Sequence, residues 1–107
     1  MLFSRKNKNP GARKRAEYLN EKMLKCVSIR ENGEETVISR SAVFLYRDKF
    51  LLIYDGPDVI FKCDPDEMEA GELLSLEGIV ITAPDYTRDG EVTTVIAYYK
   101  YWREVST

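Results

Sequence analysis

From residue 26 onward the large apolar side chains of this sequence recur at every second position. The runs 26–30, 35–40, 42–47, 49–54 and 58–63 are short and rich in Val, Ile, Phe and Tyr. A period of two sends successive side chains to opposite faces of a pleated strand, so these runs predict strands and not helices. Asn32-Gly33 and Asp55-Gly56-Pro57-Asp58 lie between them. Asn and Gly tolerate positive φ and Pro presets a turn, so both segments read as tight reversals between antiparallel neighbours. Two more strands follow at 78–83 and 92–102, with a turn-rich loop from Pro84 to Gly90. About seven short strands at this spacing suit a small β-barrel or a strongly curved antiparallel sheet.

Ahead of the strands the period is that of a helix. Ala12, Ala16, Leu19, Met23 and Cys26 are separated by four, three, four and three residues, which aligns them on one helical face. Arg13, Lys14, Arg15, Glu17, Glu21 and Lys22 fill the other face with good helix formers. The spacing predicts an amphipathic helix over 12–24, too short in its apolar stripe for a coiled coil and therefore docked on the sheet. A second helical start sits at Asp64-Pro65-Asp66-Glu67, with Asp64 as N-cap and Pro65 in the first turn. Gly71 limits it to a single turn.

These elements predict a mainly β domain of the α+β class over residues 12–107, with its helix at 12–24 and its antiparallel strands within 26–102. Residues 1–11 are expected to form a flexible basic tail. The predicted core contains Leu19, Met23, Val27, Ile29, Val37, Val43, Leu45, Leu52, Val59, Phe61, Ile79, Ile81, Val95, Ala97 and Tyr99.

The composition excludes much chemistry. There is no histidine among the 107 residues, so no Ser-His-Asp relay and no Cys-His nucleophile pair can be assembled. The glycines are isolated and build neither a Walker loop nor a dinucleotide fingerprint. The acid-rich segment 63–87 contains no Lys or Arg and invites a calcium reading. Counted from Asp64, however, the sixth position is Glu69 where glycine is needed, and the twelfth is Ser75 where a bidentate glutamate belongs. No catalytic residue, metal ligand or cofactor follows from the sequence, and an enzyme is not expected.

Cys26 and Cys63 lack the second pair that a zinc site requires, and both fall in alternating stretches. They read as small core hydrophobes in a reducing cytoplasm, unless their strands prove to be neighbours that a disulfide could join. Apolar runs such as Phe50 to Tyr54 reach only five residues, far short of the roughly 20 needed to span a bilayer.

The net charge of −2 conceals a basic head on an acidic body. Arg5, Lys6, Lys8, Arg13, Lys14 and Arg15 give +6 with no acid in the first fifteen residues, leaving ten bases against eighteen acids elsewhere. The head is a candidate polyanion contact, with Leu2 and Phe3 as a shallow apolar anchor, or else a solubilising extension.

The last strand carries rings on both parities: Tyr99 and Tyr101 on one, Tyr98 and Trp102 on the other. A strand with one face in water has no need of so much aromatic area. It is therefore a central strand of a closed barrel, or has its outer face covered by the helix, or presents that face to a partner. Tyr98, Lys100, Trp102 and Arg103 are the candidate contact residues on the outer parity.

The run from Glu72 to Thr82, followed by Val95 to Tyr101, resembles short bacterial proteins to which no activity is attached. In layout the chain is similar to pleckstrin-homology-like barrels, which would imply a scaffold for peptides or lipids, although that family ends in a helix. A front helix before bent strands is also similar to Sm-like barrels, which would imply ring assembly on RNA, although the Sm motifs are not found. The expectation is a non-enzymatic binding or assembly module using the aromatic strand for a protein partner or self-association. The alternative is a nucleic-acid-associated protein acting through its basic head.

Overall fold

The computed structural model describes residues 10–100. One helix, α1 (Pro10–Leu19), precedes eight strands: β1 (Met23–Glu31), β2 (Glu34–Ser39), β3 (Ala42–Arg47), β4 (Phe50–Asp55), β5 (Asp58–Cys63), β6 (Glu69–Glu72), β7 (Gly78–Asp85) and β8 (Glu91–Tyr99). All pairings are antiparallel, in the order β5-β4-β3-β1-β8-β7-β6, with β2 also paired to β1. β2 and β3 share one edge of β1, β2 along Val27 to Glu31 and β3 at Met23 and Leu24. The sheet is not closed into a barrel, but it curls far enough to bring β5 against β7.

The helix is shorter than its spacing implied. Ala12, Ala16 and Leu19 are buried as expected, but α1 ends at Leu19, and Met23 and Cys26 belong to β1. Glu21 takes a left-handed φ of 72°, which no helix continues through. Its amide donates to the Phe44 carbonyl at 2.7 Å, the Phe44 amide donates to the Lys22 carbonyl at 3.0 Å, and the Tyr46 amide donates to Asn20 Oδ1 at 2.8 Å. The chain thus leaves the helix by joining β3, and the helical spacing of Met23 and Cys26 is a coincidence of two periods. At its start, α1 includes Pro10 and Gly11, which the predicted tail 1–11 had claimed; the remainder of that tail lies outside the described residues.

Asn32-Gly33 forms the reversal between β1 and β2 with φ of 52° and 82°, the mirror-type turn that matches strand twist. Asp48-Lys49 does the same between β3 and β4 without a glycine, at 53° and 73°, so Lys49 is in the turn and not in the strand. Asp64 accepts the Asp66 amide at 2.9 Å and caps a single 3-10 turn, Pro65–Glu67. The strand after it, β6, has no counterpart among the seven predicted strands and brings their number among the described residues to eight.

The core is formed by the inner faces of the strands, with Ala12, Ala16 and Leu19 of α1 completing it. In β3 the predicted parity is reversed: Ala42 and Phe44 are buried, while Val43 and Leu45 are only half-buried. Val59 is half-buried as well, and its neighbours Phe61 and Cys63 carry the β5 contribution. Met23, 47% exposed, and Val37, 42% exposed, lie outside the core. The other predicted core residues are buried.

Candidate functional site

Register fixes what the outer face of the sheet presents. Ser28 of β1 lies opposite both Val37 of β2 and Ile96 of β8, and Ile96 lies opposite Val80 of β7. The next row joins Cys26, Tyr98 and Gly78. On the other side run Glu35, Arg30, Thr94 and Thr82, the last two hydrogen-bonded through their hydroxyls at 2.8 Å. This face is therefore an apolar row of Val37, Ile96 and Val80 between an aromatic row and a polar one.

Tyr98 shapes it. Its hydroxyl donates to Glu35 Oε2 at 2.9 Å, and to reach β2 the side chain has to cross β1. Ser28 is correspondingly 1% exposed although it faces outward. Desolvation, reinforced by Glu35, raises the Tyr98 phenol above its ordinary value. Tyr99, on the opposite parity, is buried and donates to Glu72 at 2.9 and 3.1 Å. Neighbouring tyrosines thus serve different faces, one spanning the outer sheet and the other closing the interior.

β8 lies between β1 and β7 in an open sheet, so the closed-barrel account of its aromatic faces does not hold. Nor does the helix cover its outer face: α1 buries its apolar side in the core and packs chiefly against β3 and the Pro65–Glu67 turn. Val37, Val92, Val80 and Tyr98 remain at least partly accessible there, Val92 at 67%.

Lys100 is exposed just beyond Tyr99, its amide donating to the Met23 carbonyl at 2.9 Å. The other two predicted contacts, Trp102 and Arg103, lie outside the described residues, as do Arg5, Lys6 and Lys8 of the head. Arg13 is held by Asp66 in a bidentate pair at 2.6 and 3.2 Å, and Arg15 lies 3.8 Å from Glu72. Lys14 is exposed. Two of the three helical bases are thus directed at carboxylates of this chain, which accounts for part of the unbalanced acid in 63–87.

The remaining acids of that segment have separate tasks. Glu67 accepts the Tyr86 hydroxyl at 2.6 Å, which with some desolvation pushes that phenol up to about 12. Tyr86 in turn packs edge-on against Phe50 at 5.9 Å. Asp85, fully buried, accepts from the Lys62 amide, the Thr87 amide and hydroxyl, and Arg88. Sequence reasoning passed over Asp85, whose one local signal is an Asp two residues before a Thr in a turn. No known protein family, curated protein or solved structure matches the chain.

Proposed function

We propose that this chain is a non-enzymatic binding module whose contact surface is the outer face of β2, β1, β8 and β7. The observation that carries this reading is Tyr98, held across β1 by Glu35 beside the half-exposed Val37 and Val80. A ring fixed on a rigid sheet loses little freedom when a partner covers it, so more of its buried area appears as affinity. Lys100 extends the surface past the end of β8, and Trp102 and Arg103 continue it in sequence. The partner is a protein, with a second copy of the chain as the first case to test. We place the module in a reducing cytoplasm, where free thiols persist: Cys26 and Cys63 are unpaired, on strands separated by β3 and β4.

Val37→Asp and Val92→Asp introduce charge on the face without touching the core. Sedimentation velocity over a concentration series should show association by the wild type and none by the double variant, with both proteins melting alike. If the wild type is monomeric, a photo-crosslinker at residue 92 should trap a partner in the native host, and Tyr98→Ala should abolish the adduct. A wild type that neither associates nor crosslinks overturns the reading.

A further inference from the structure

The sheet is open, and an open sheet has edges whose outward amides and carbonyls another strand can take up. The chain itself covers the edges of β3, β5 and β6. Where β3 runs past β1, the Phe44 amide donates to the Lys22 carbonyl at 3.0 Å and the Tyr46 amide to Asn20 Oδ1 at 2.8 Å. Along β5, Asp85 accepts the Lys62 amide and Arg88 reaches the Ile60 carbonyl. β6 has only four residues, and Met68 and Ala70 share a cleft with Gly11, Ala12 and Arg15 of α1. β2 differs, because its one ladder is with β1. The two-residue turn makes Glu31 and Glu34 a hydrogen-bonded pair, so Glu35 and Val37, on the alternate parity, turn their amides and carbonyls away from β1. Among the described residues no group caps them.

We infer that β2 pairs antiparallel with β2 of a second copy, extending the sheet across a two-fold axis. The charges along the strand select that partner. Glu34 lies opposite Glu31, a like-charged pair that destabilises a hairpin, and neither is ion-paired among the described residues. Arg40, exposed just past the other end of β2, is not ion-paired there either. Antiparallel pairing sets the start of each strand beside the end of the other, so each Arg40 comes to the Glu31 and Glu34 pair of the opposite copy. Parallel pairing would set acid against acid. Val37, 42% exposed, lies between the two charged ends and is covered by the second strand. Joined in this way, the outer faces of the two copies adjoin across the axis and both stay open. The edge is a different surface from the Tyr98 face, and shares with the reading above only the second copy as partner.

Sedimentation velocity on the full chain tests the edge, in a concentration series up to about 1 mM because a six-residue strand makes a small interface. Wild type should dimerise. Glu34→Arg and Arg40→Glu should each dimerise at least about tenfold more weakly, since both end contacts become repulsive. An equimolar mixture of the two variants should regain wild-type dimerisation, because every like-charged contact is then replaced by an opposite one; the recovery also shows that both variants fold. Amide exchange at Glu35 and Val37 should slow as concentration rises. Val92→Asp, on β8 with β1 between it and β2, should leave the dimer intact. A wild type monomeric throughout the series, charge variants that dimerise as wild type does, or a mixture no stronger than its components overturns the inference. A monomeric Val92→Asp beside a normally dimeric Glu34→Arg overturns it too, and assigns the association to the outer face instead.

Discussion

The Asp85 carboxylate at the end of β7 accepts the Lys62 amide of β5 at 3.2 Å, joining two strands that share no ladder. Arg88, from the 3-10 turn that follows, donates to the other oxygen at 2.5 Å and also reaches the Ile60 carbonyl at 3.4 Å. One buried acid and one turn arginine thus pin the outer strand β5 where the open sheet brings it round to β7. Asp85→Ala takes the acceptor from the Lys62 and Thr87 amides, while the Arg88 side chain, 36% exposed, can turn to water, so the cost is that of unsatisfied amides, about 1–3 kcal/mol. Urea unfolding at neutral pH measures it; a loss under about 1 kcal/mol would show that the carboxylate does not hold the seam.

Stability should fall in alkali. Burial, with Asp85 close by, pushes the Cys63 thiol up to about 12 from an ordinary value near 9. Desolvation and the bond to Glu72 raise Tyr99 well above the usual phenol range. Between the ordinary and the raised values the unfolded chain gives up a proton that the folded chain keeps, so stability is intact below about pH 8.5 and declines above it. Each pH unit in that window is worth about 1.4 kcal/mol per group. Melting curves from neutral pH upward should slope down, less steeply for Cys63→Ala from about pH 9 and for Tyr99→Phe from about pH 10. Identical slopes in the three proteins would contradict the assignment.

Strand positions were legible because Asn32-Gly33 and Asp55 to Asp58 fix the reversals locally. Which face points inward was not legible in β3, since Ala42, Phe44 and Tyr46 on one parity and Val43 and Leu45 on the other are both apolar. The choice fell to Phe44 because its backbone is tied to Lys22 and Glu21, more than twenty residues away, beyond any periodicity argument. β6 escaped notice for a different reason. Glu69, Ala70, Gly71 and Glu72 have poor strand propensity, and pairing with β7 alone makes them a strand. In the candidate site, Tyr98 could be read from alternation, whereas its bond to Glu35 joins residues 63 positions apart. Asp85 was hidden in the same way, its Lys62 partner lying 23 positions upstream.

Gly78 opens β7 opposite Tyr98. A Cβ there would collide with the Ala97 carbonyl oxygen, a backbone atom that cannot turn aside. Gly78→Ala should therefore separate β7 from β8 locally and cost about 1–3 kcal/mol, as overpacking generally does. Amide exchange at Tyr98 and Tyr99 should accelerate more than at Val27 on the far side of β8. An unchanged melting temperature would mean the strands can part at this point without loss.

Leu76, between β6 and β7, holds a left-handed φ of 64°. An L-residue in the left-handed region costs about 1–2 kcal/mol, and glycine relieves most of that cost. Leu76 is also 61% exposed, so its side chain gives up little burial when it is removed. Leu76→Gly should therefore stabilise the protein by about 1 kcal/mol, read by chemical denaturation. A loss of stability instead would mean that the Leu76 side chain packs within the hairpin and outweighs the relief of its backbone.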